Sequence, residues 1–162
     1  MSVIDVRLQM QANGFEPVPC VGKRPSITGW QGKTSASVAE IRAWTGTNTG
    51  CLTAHTPAID IDITDPEAAA LAEEVGQELF GDRGVIPVRF GRSPKRALVL
   101  RSAAPFAKMS ASYEAPNGAT HKIEILADGQ QLVCFGTHPD IGQPYTWCSR
   151  TPLDTPRAEL AE

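Results

Sequence analysis

One short segment limits the folds open to this chain more than any other. Residues 58–63 read Ala-Ile-Asp-Ile-Asp-Ile, so two carboxylates alternate with three isoleucines. Because successive side chains of a β-strand point to opposite faces, Asp60 and Asp62 are predicted to share one face and the isoleucines the other. Neighbouring carboxylates repel each other, and a divalent cation bound between them removes that repulsion. The alternative is a strand whose acidic face is simply exposed to solvent.

The composition excludes several classes of protein. The chain has 162 residues, 41% of them hydrophobic and 20% charged, as expected for one globular domain with its own core. A net charge of −3 gives no broad basic surface, so any nucleic-acid site has to be local. The four cysteines are widely spaced, which argues against a zinc knuckle and a secreted disulfide framework. No apolar run approaches the ~20 residues of a membrane span, so we expect a soluble, cytoplasmic protein without membrane contact.

Hydrophobic periodicity and turn residues predict an α+β chain. Three helices are expected, over residues 3–13, 35–44 and 64–79, and the last has the capping-box spacing of Thr64 and Glu67. Residues 46–50 and 110–120 are predicted to be loops. Asp128-Gly129 is predicted to be the turn of a hairpin that joins strands over residues 121–126 and 131–135. We place a catalytic domain over residues 1–150, and a polar tail or linker over 151–162 that leads toward a further C-terminal region.

Two further features can complete a site around the paired aspartates. Glu124 lies in the otherwise hydrophobic strand predicted over residues 121–126 and supplies a third carboxylate. Residues 89–101 contain five cations and no acid, and such a basic hairpin can hold polyphosphate. The alternative for this run is a solvated basic turn.

The order of these elements predicts a reaction. Mg²⁺ and Mn²⁺ prefer oxygen ligands and leave room for phosphate oxygens and water. Two such ions about 4 Å apart, held by Asp60, Asp62 and Glu124, can activate a 3′-hydroxyl and stabilise a leaving pyrophosphate. Cations of the basic turn, Arg92, Lys95 and Arg96, can then bind the triphosphate.

The chain resembles the bifunctional DNA primase/polymerase N-terminal (Prim-Pol) domain of the archaeo-eukaryotic primase superfamily, which is common on phages, prophages and plasmids. The resemblance begins with Gly-Phe-Glu-Pro-Val-Pro at residues 14–19 and Gly-Lys-Arg-Pro at 22–25. Asp60-Ile61-Asp62 is similar to the first catalytic motif of the family, and Ile123-Glu124 to the third, with glutamate where aspartate is usual. The segments 129–139 and 142–147 are similar to its closing Gly, Tyr and Trp pattern.

The second motif of the family departs from its usual form in this chain. That motif ends in a histidine that helps to bind the incoming nucleotide, whereas here the place reads Ser93-Pro94-Lys95-Arg96. We therefore assign nucleotide or phosphate binding to five residues: Arg92, Ser93, Lys95, Arg96 and His138. Arginine is the better bidentate partner for phosphate, so the contact of Arg96 is expected to matter most.

The resemblance implies an RRM-like, mainly antiparallel sheet with helices, joined to a small N-terminal αβ module, with the active site in the groove between them. It implies a nucleotidyltransferase that transfers nucleotides from (d)NTPs to a 3′-hydroxyl on a single-stranded DNA template, and two Mg²⁺ or Mn²⁺ ions. It also implies a helicase domain or subunit as partner in DNA replication. Two alternatives remain open: a nucleotide- or single-stranded-DNA-binding module that has lost activity, and a metal-dependent nuclease.

Overall fold

Three α-helices and ten β-strands make up the computed structural model, which describes residues 1–162. The helices are α1 (Val3–Ala12), α2 (Val38–Ala43) and α3 (Pro66–Phe80). The strands are β1 (Pro17–Val21), β2 (Arg24–Pro25), β3 (Asn48–Leu52), β4 (Ala58–Asp62), β5 (Val88–Phe90), β6 (Arg96–Val99), β7 (Met109–Glu114), β8 (Thr120–Leu126), β9 (Gln131–Phe135) and β10 (Thr146–Cys148). All of these strands pair in the antiparallel sense, which confirms the predicted α+β class.

The strands form two sheets, with the orders β2-β1-β3-β9 and β10-β5-β6-β4-β8-β7. The predicted hairpin of β8 and β9 is wrong, because β8 pairs with β4 and β7 whereas β9 pairs with β3 in the other sheet. The turn at Asp128-Gly129, where Gly129 has a φ of +74°, carries the chain from one sheet to the other. The smaller, largely N-terminal sheet is therefore completed by a strand from late in the chain.

Strand β4 separates two cores. On one face, Ile61 packs with Ala69 of α3 and with neighbours on β5 and β6. On the other face, Ala58 packs with Leu132 of β9 in a core between the two sheets. Alternation along the strand therefore places its two aspartates on the face that looks toward the smaller sheet.

Two segments predicted to be loops form strands. Residues 46–50 include the start of β3, which is buried at every position. Residues 110–120 include most of β7, which is exposed at every position and pairs with β8 along its whole length. Asparagine, glycine, serine and alanine in these segments give no hydrophobic alternation, so pairing with the neighbouring strand decides their conformation.

The start of α3 also differs from the prediction. The side chain of Asp65 accepts a hydrogen bond from the N–H of Ala68 at 2.8 Å, and Pro66 occupies the first turn. The predicted capping box of Thr64 and Glu67 is therefore wrong, because the N-cap of α3 is Asp65, one residue later. Either start leaves β4 only a short connection away from the helix.

Residues 151–162, expected to be a polar tail, pack against the rest of the domain. Leu160 and Ala161 are 0% exposed. The N–H of Ala161 donates to the carbonyl of Val85 at 2.9 Å, and the N–H of Arg101 donates to the carbonyl of Ala161 at 2.9 Å. The segment thus belongs to the folded unit, and a region beyond it stays a prediction. No helix of the structure combines the length and the apolar character needed to cross a membrane.

Candidate active site

The three predicted carboxylates lie on one face of the larger sheet. In the register of β4 and β8, Asp60 is directly opposite Glu124, and Asp62 is directly opposite Lys122. Directly opposed residues of antiparallel strands project to the same face. On the other side of β4, Asp60 is opposite Ala97 of β6, whose small side chain leaves the space beside the carboxylate open. The sheet register therefore gathers all three acids on neighbouring strands.

A cavity of about 270 Å³ lies beside the paired aspartates. Its walls come from both sheets, since Asp60 and Asp62 on β4 line it together with residues 131–133 of β9. Its remaining lining is mostly cationic or polar: Lys23, Arg89, Gly91, Arg92, Lys95, Arg96, Leu126, His138, Asp140 and Tyr145. A cavity with acids at one wall and a surplus of cations around them suits a ligand that carries several negative charges.

Lysines are bound to two of the three carboxylates. Lys95 pairs with Asp62, while Glu124 accepts from Lys108 at 2.6 Å and from Lys122 at 2.9 Å. No group of three His, Cys, Asp or Glu side chains is close enough together to hold a metal ion. The acids thus share a face without forming a ready metal cluster, and metal ligation here requires the lysines to leave.

The protein environment acts on Asp60 and Glu124 in opposite directions. Burial raises the pKa of Asp60; Arg89 lowers it, but the charges of Asp62 and Glu124 add to the increase. Burial also acts to raise the pKa of Glu124, yet the hydrogen bonds from Lys108 and Lys122 outweigh it, and the pKa of Glu124 is lowered. Of these two carboxylates, Asp60 is the one whose charged form is disfavoured by its surroundings.

Asp60→Asn should raise the free energy of unfolding at neutral pH. The folded state holds the Asp60 carboxyl at a pKa above its ordinary value of 3.8, so the charged form costs stability when the pH is above that folded pKa. As the pH falls through the folded pKa toward 3.8, the wild type gains protons and the difference from the variant should shrink. Urea unfolding of both proteins across this range measures it, and a less stable Asn variant at neutral pH would contradict the assignment.

The predicted phosphate-binding residues do not all reach the cavity. Arg92 and Lys95 line it, while Ser93 does not. Arg96 contributes to the lining, but its guanidinium pairs with Glu73 of α3 and lies 4.9 Å from the centre of the Phe90 ring. The register places Arg96 opposite Ile61, on the helix-covered face of the sheet. The contact expected between Arg96 and phosphate stays a prediction, although Glu73 of α3 already pairs with its charge.

His138 is part of the cavity wall and is 5% exposed. Its Nδ1 accepts a hydrogen bond from the N–H of Asp140 at 3.3 Å, and its ring centre is 5.4 Å from that of Tyr145. Burial, with the nearby charge of Lys23, lowers the pKa of His138, while Asp140 opposes the shift. A neutral imidazole with Nε2 protonated fits these contacts, so His138 can donate a hydrogen bond at neutral pH.

Sequence reasoning assigned no site role to several lining residues. Lys23 and Tyr145 are far from the basic run, and the register that brings them to the cavity is a long-range property. Arg89 belongs to the basic segment 89–101, but the sequence gives it no role distinct from those of Arg92, Lys95 and Arg96. A usable signal existed, because Arg89 is a charged residue between Val88 and Phe90 in a strand that is otherwise apolar.

Fold and site together define an α+β domain in which Asp60 and Asp62 line a cationic cavity, a combination suited to phosphate chemistry, while Glu124 lies opposite Asp60 but does not line the cavity. The chain belongs to the bifunctional DNA primase/polymerase N-terminal (Prim-Pol) family, whose model matches residues 7–162. None of the curated proteins compared with the chain matches it. Membership indicates DNA primase/polymerase activity in general, from a nucleotidyltransferase type of enzyme that uses nucleotides and DNA and generally depends on divalent metal ions.

Proposed function

We propose that this domain catalyses template-directed transfer of nucleotides from (d)NTPs to a 3′-hydroxyl on DNA. The observation that carries the proposal is the placement of Asp60, Asp62 and Glu124 on one face of adjacent strands, with Asp60 and Asp62 lining a cavity rich in cations. The match to the Prim-Pol family over nearly the whole chain supports it. Single-stranded DNA as template, a helicase as partner, a phage or prophage origin and a cytoplasmic location stay predictions.

Asp60, Asp62 and Glu124 would hold the divalent ions. The donor chemistry fits, because carboxylate oxygens are the ligands that Mg²⁺ and Mn²⁺ prefer. When bound, two such ions supply activation of the 3′-hydroxyl and charge stabilisation at the leaving pyrophosphate. The lysines that now pair with these acids are 35–40% exposed in their side chains, so they can turn away at little cost.

The protein's own contribution is to bind and orient the triphosphate. Lys95, once released from Asp62, remains at the cavity wall, where its ammonium can meet a phosphate oxygen. Arg92 lies on the same wall. Cations on the wall of the same cavity as the aspartates would allow the α-phosphate to lie near the carboxylates while the outer phosphates contact the basic turn.

A binding module without activity is the second candidate. Two observations favour it: lysines pair with Asp62 and Glu124, and no carboxylate group is arranged to hold a metal. The absent histidine of the second family motif agrees with it, since Lys95 and Arg96 stand in that place. Such a module would bind nucleotide or DNA without forming a phosphodiester bond.

Incubation of the purified domain with a labelled primer on a DNA template, dNTPs and Mn²⁺ separates the candidates. Longer products support nucleotidyl transfer. Nucleotide binding without longer products supports the binding module and contradicts transfer. Shortened primer that disappears in the Asp60→Asn/Asp62→Asn variant would identify a nuclease.

Lys95→Ala should raise the nucleotide Kd by about tenfold, the loss of one charge-assisted contact. Arg96→Ala, the matched control, should change it by less than about twofold, since Glu73 and Phe90 already engage that guanidinium. Fluorescence titration of each folded variant with a labelled dNTP makes the comparison. Equal losses, or a larger loss for Arg96→Ala, would return the main phosphate contact to Arg96.

A further inference from the structure

Arg89 is the one cation on the wall of the cavity that is deeply buried. It occupies the middle of β5 and is 9% exposed. Its strand partners are Ala97 on β6 and Trp147 on β10, and Ala97 is in turn opposite Asp60. Arg89, Ala97 and Asp60 therefore form a row of positions on the same face of the sheet, with the small residue Ala97 between the two charged ones.

Arg89 forms no salt bridge with any protein group, although its charge acts at longer range on the carboxylate of Asp60. Its Nε is the only buried side-chain nitrogen or oxygen in the structure without a hydrogen-bond partner. None of the ion pairs includes Arg89, and its guanidinium carbon lies 5.1 Å from the centre of the Tyr145 ring. A buried charge without a partner is costly, and proteins seldom keep one unless a ligand completes it.

A glycine two residues after Arg89 leaves room for its guanidinium. A Cβ on Gly91 would lie 2.6 Å from Nη1 of Arg89, 3.0 Å from Cε1 of Tyr145 and 3.3 Å from Cδ2 of His138. Gly91 has no positive φ, so its glycine is explained by close packing and not by backbone conformation. Arg89, Tyr145 and His138 therefore all lie close to Gly91, and Arg89 also lines the cavity.

We propose that Arg89 is the internal anion-binding residue of the cavity and binds the polyphosphate of the nucleotide, an assignment that rests on the proposed function. A guanidinium presents paired N–H donors that match two phosphate oxygens, and it stays charged when buried. Arg92 and Lys95 line the same cavity nearer to solvent. Three cations of different depth in one cavity suit a chain of phosphates better than a single carboxylate ligand.

Calorimetric titration of the metal-free domain with inorganic tripolyphosphate tests the assignment without any reaction. Arg89→Gln should weaken tripolyphosphate binding by about tenfold or more. Arg89→Lys keeps the charge but loses the paired N–H donors, so it should weaken binding less. The control Arg83→Gln removes an exposed arginine just after α3. Its Kd for tripolyphosphate should stay within about twofold of the wild-type value. Unchanged binding by Arg89→Gln, or no binding by the wild type, would overturn the assignment.

Thermal unfolding of Arg89→Met separates a binding role from a purely structural one. A residue kept for an anion should be replaceable by an apolar side chain without a lower midpoint, while the stabilisation of the wild type by tripolyphosphate disappears. A lower midpoint with the tripolyphosphate stabilisation retained would show that Arg89 is only structural.

Arg89-dependent tripolyphosphate binding in a domain that never extends primers would refute the proposed function and leave this site standing. Primer extension with an unchanged nucleotide KM in Arg89→Gln would support the proposed function and refute the role of Arg89.

Discussion

Asp60→Asn combined with Asp62→Asn is expected to slow primer extension by about a thousandfold or more while the domain stays folded. The two amides keep the shape of the carboxylates but remove the charges that would hold divalent ions beside Glu124 on the neighbouring strand. Stability should not fall, because burial and like charges already disfavour the ionised form of Asp60. Single-turnover incorporation of one labelled nucleotide measures the loss.

The matched control for this variant is Glu78→Gln combined with Asp82→Asn. Both residues are exposed and lie on or just after α3, so the control removes the same number of charges outside the cavity. Its rate should remain within about twofold of the wild type. Equal rates for wild type and the Asp60/Asp62 variant would mean that the aspartates hold no essential ion.

Asn48→Ala is expected to lower the free energy of unfolding by about 2–4 kcal/mol. Asn48 is 2% exposed; its Nδ2 donates to the carbonyls of Gly22 at 2.9 Å and Thr137 at 2.8 Å, and its Oδ1 accepts from the N–H of Thr137 at 3.0 Å. Truncation removes three hydrogen bonds and leaves partly buried backbone groups of Gly22 and Thr137 without these partners. The segment that leads to His138 loses its attachment to β3, so nucleotide affinity should fall as well.

Urea unfolding checks the effect of Asn48→Ala, with Asn117→Ala as the control. Asn117 also makes a side-chain hydrogen bond, accepting from the N–H of Ala119 at 3.0 Å, but it does so in an exposed turn. The control should change stability by less than about 0.5 kcal/mol. A loss below about 1 kcal/mol for Asn48→Ala would show that water or a shifted backbone replaces its three bonds.

Local patterns predicted the shared face of the two aspartates. The alternation of aspartate and isoleucine placed both aspartates on one face of β4, because the period of two belongs to any strand. Glu124 was assigned to a neighbouring strand from the same kind of pattern. The register that puts it opposite Asp60 could not be read from either segment alone, since pairing depends on the whole sheet.

Pairings between residues far apart in the chain could not be predicted from local sequence patterns. A good turn signal at Asp128-Gly129 predicted a hairpin, yet β9 finds its partner in β3 and not in β8. The pairing of Arg96 with Glu73 and of Lys95 with Asp62 joins residues more than twenty positions apart, and only the folded chain decides between them. The unpartnered state of Arg89 likewise became visible only once its surroundings were in place.

The most direct test of template-directed nucleotidyl transfer is a single-addition assay in which the template base after the primer is varied. Four reactions, each with one dNTP and Mn²⁺, are run for each of the four templates with the purified wild-type domain. We predict that the primer grows by one residue mainly where the dNTP is complementary to the template base. No addition with any dNTP, or addition that ignores the template base, would contradict the proposed function.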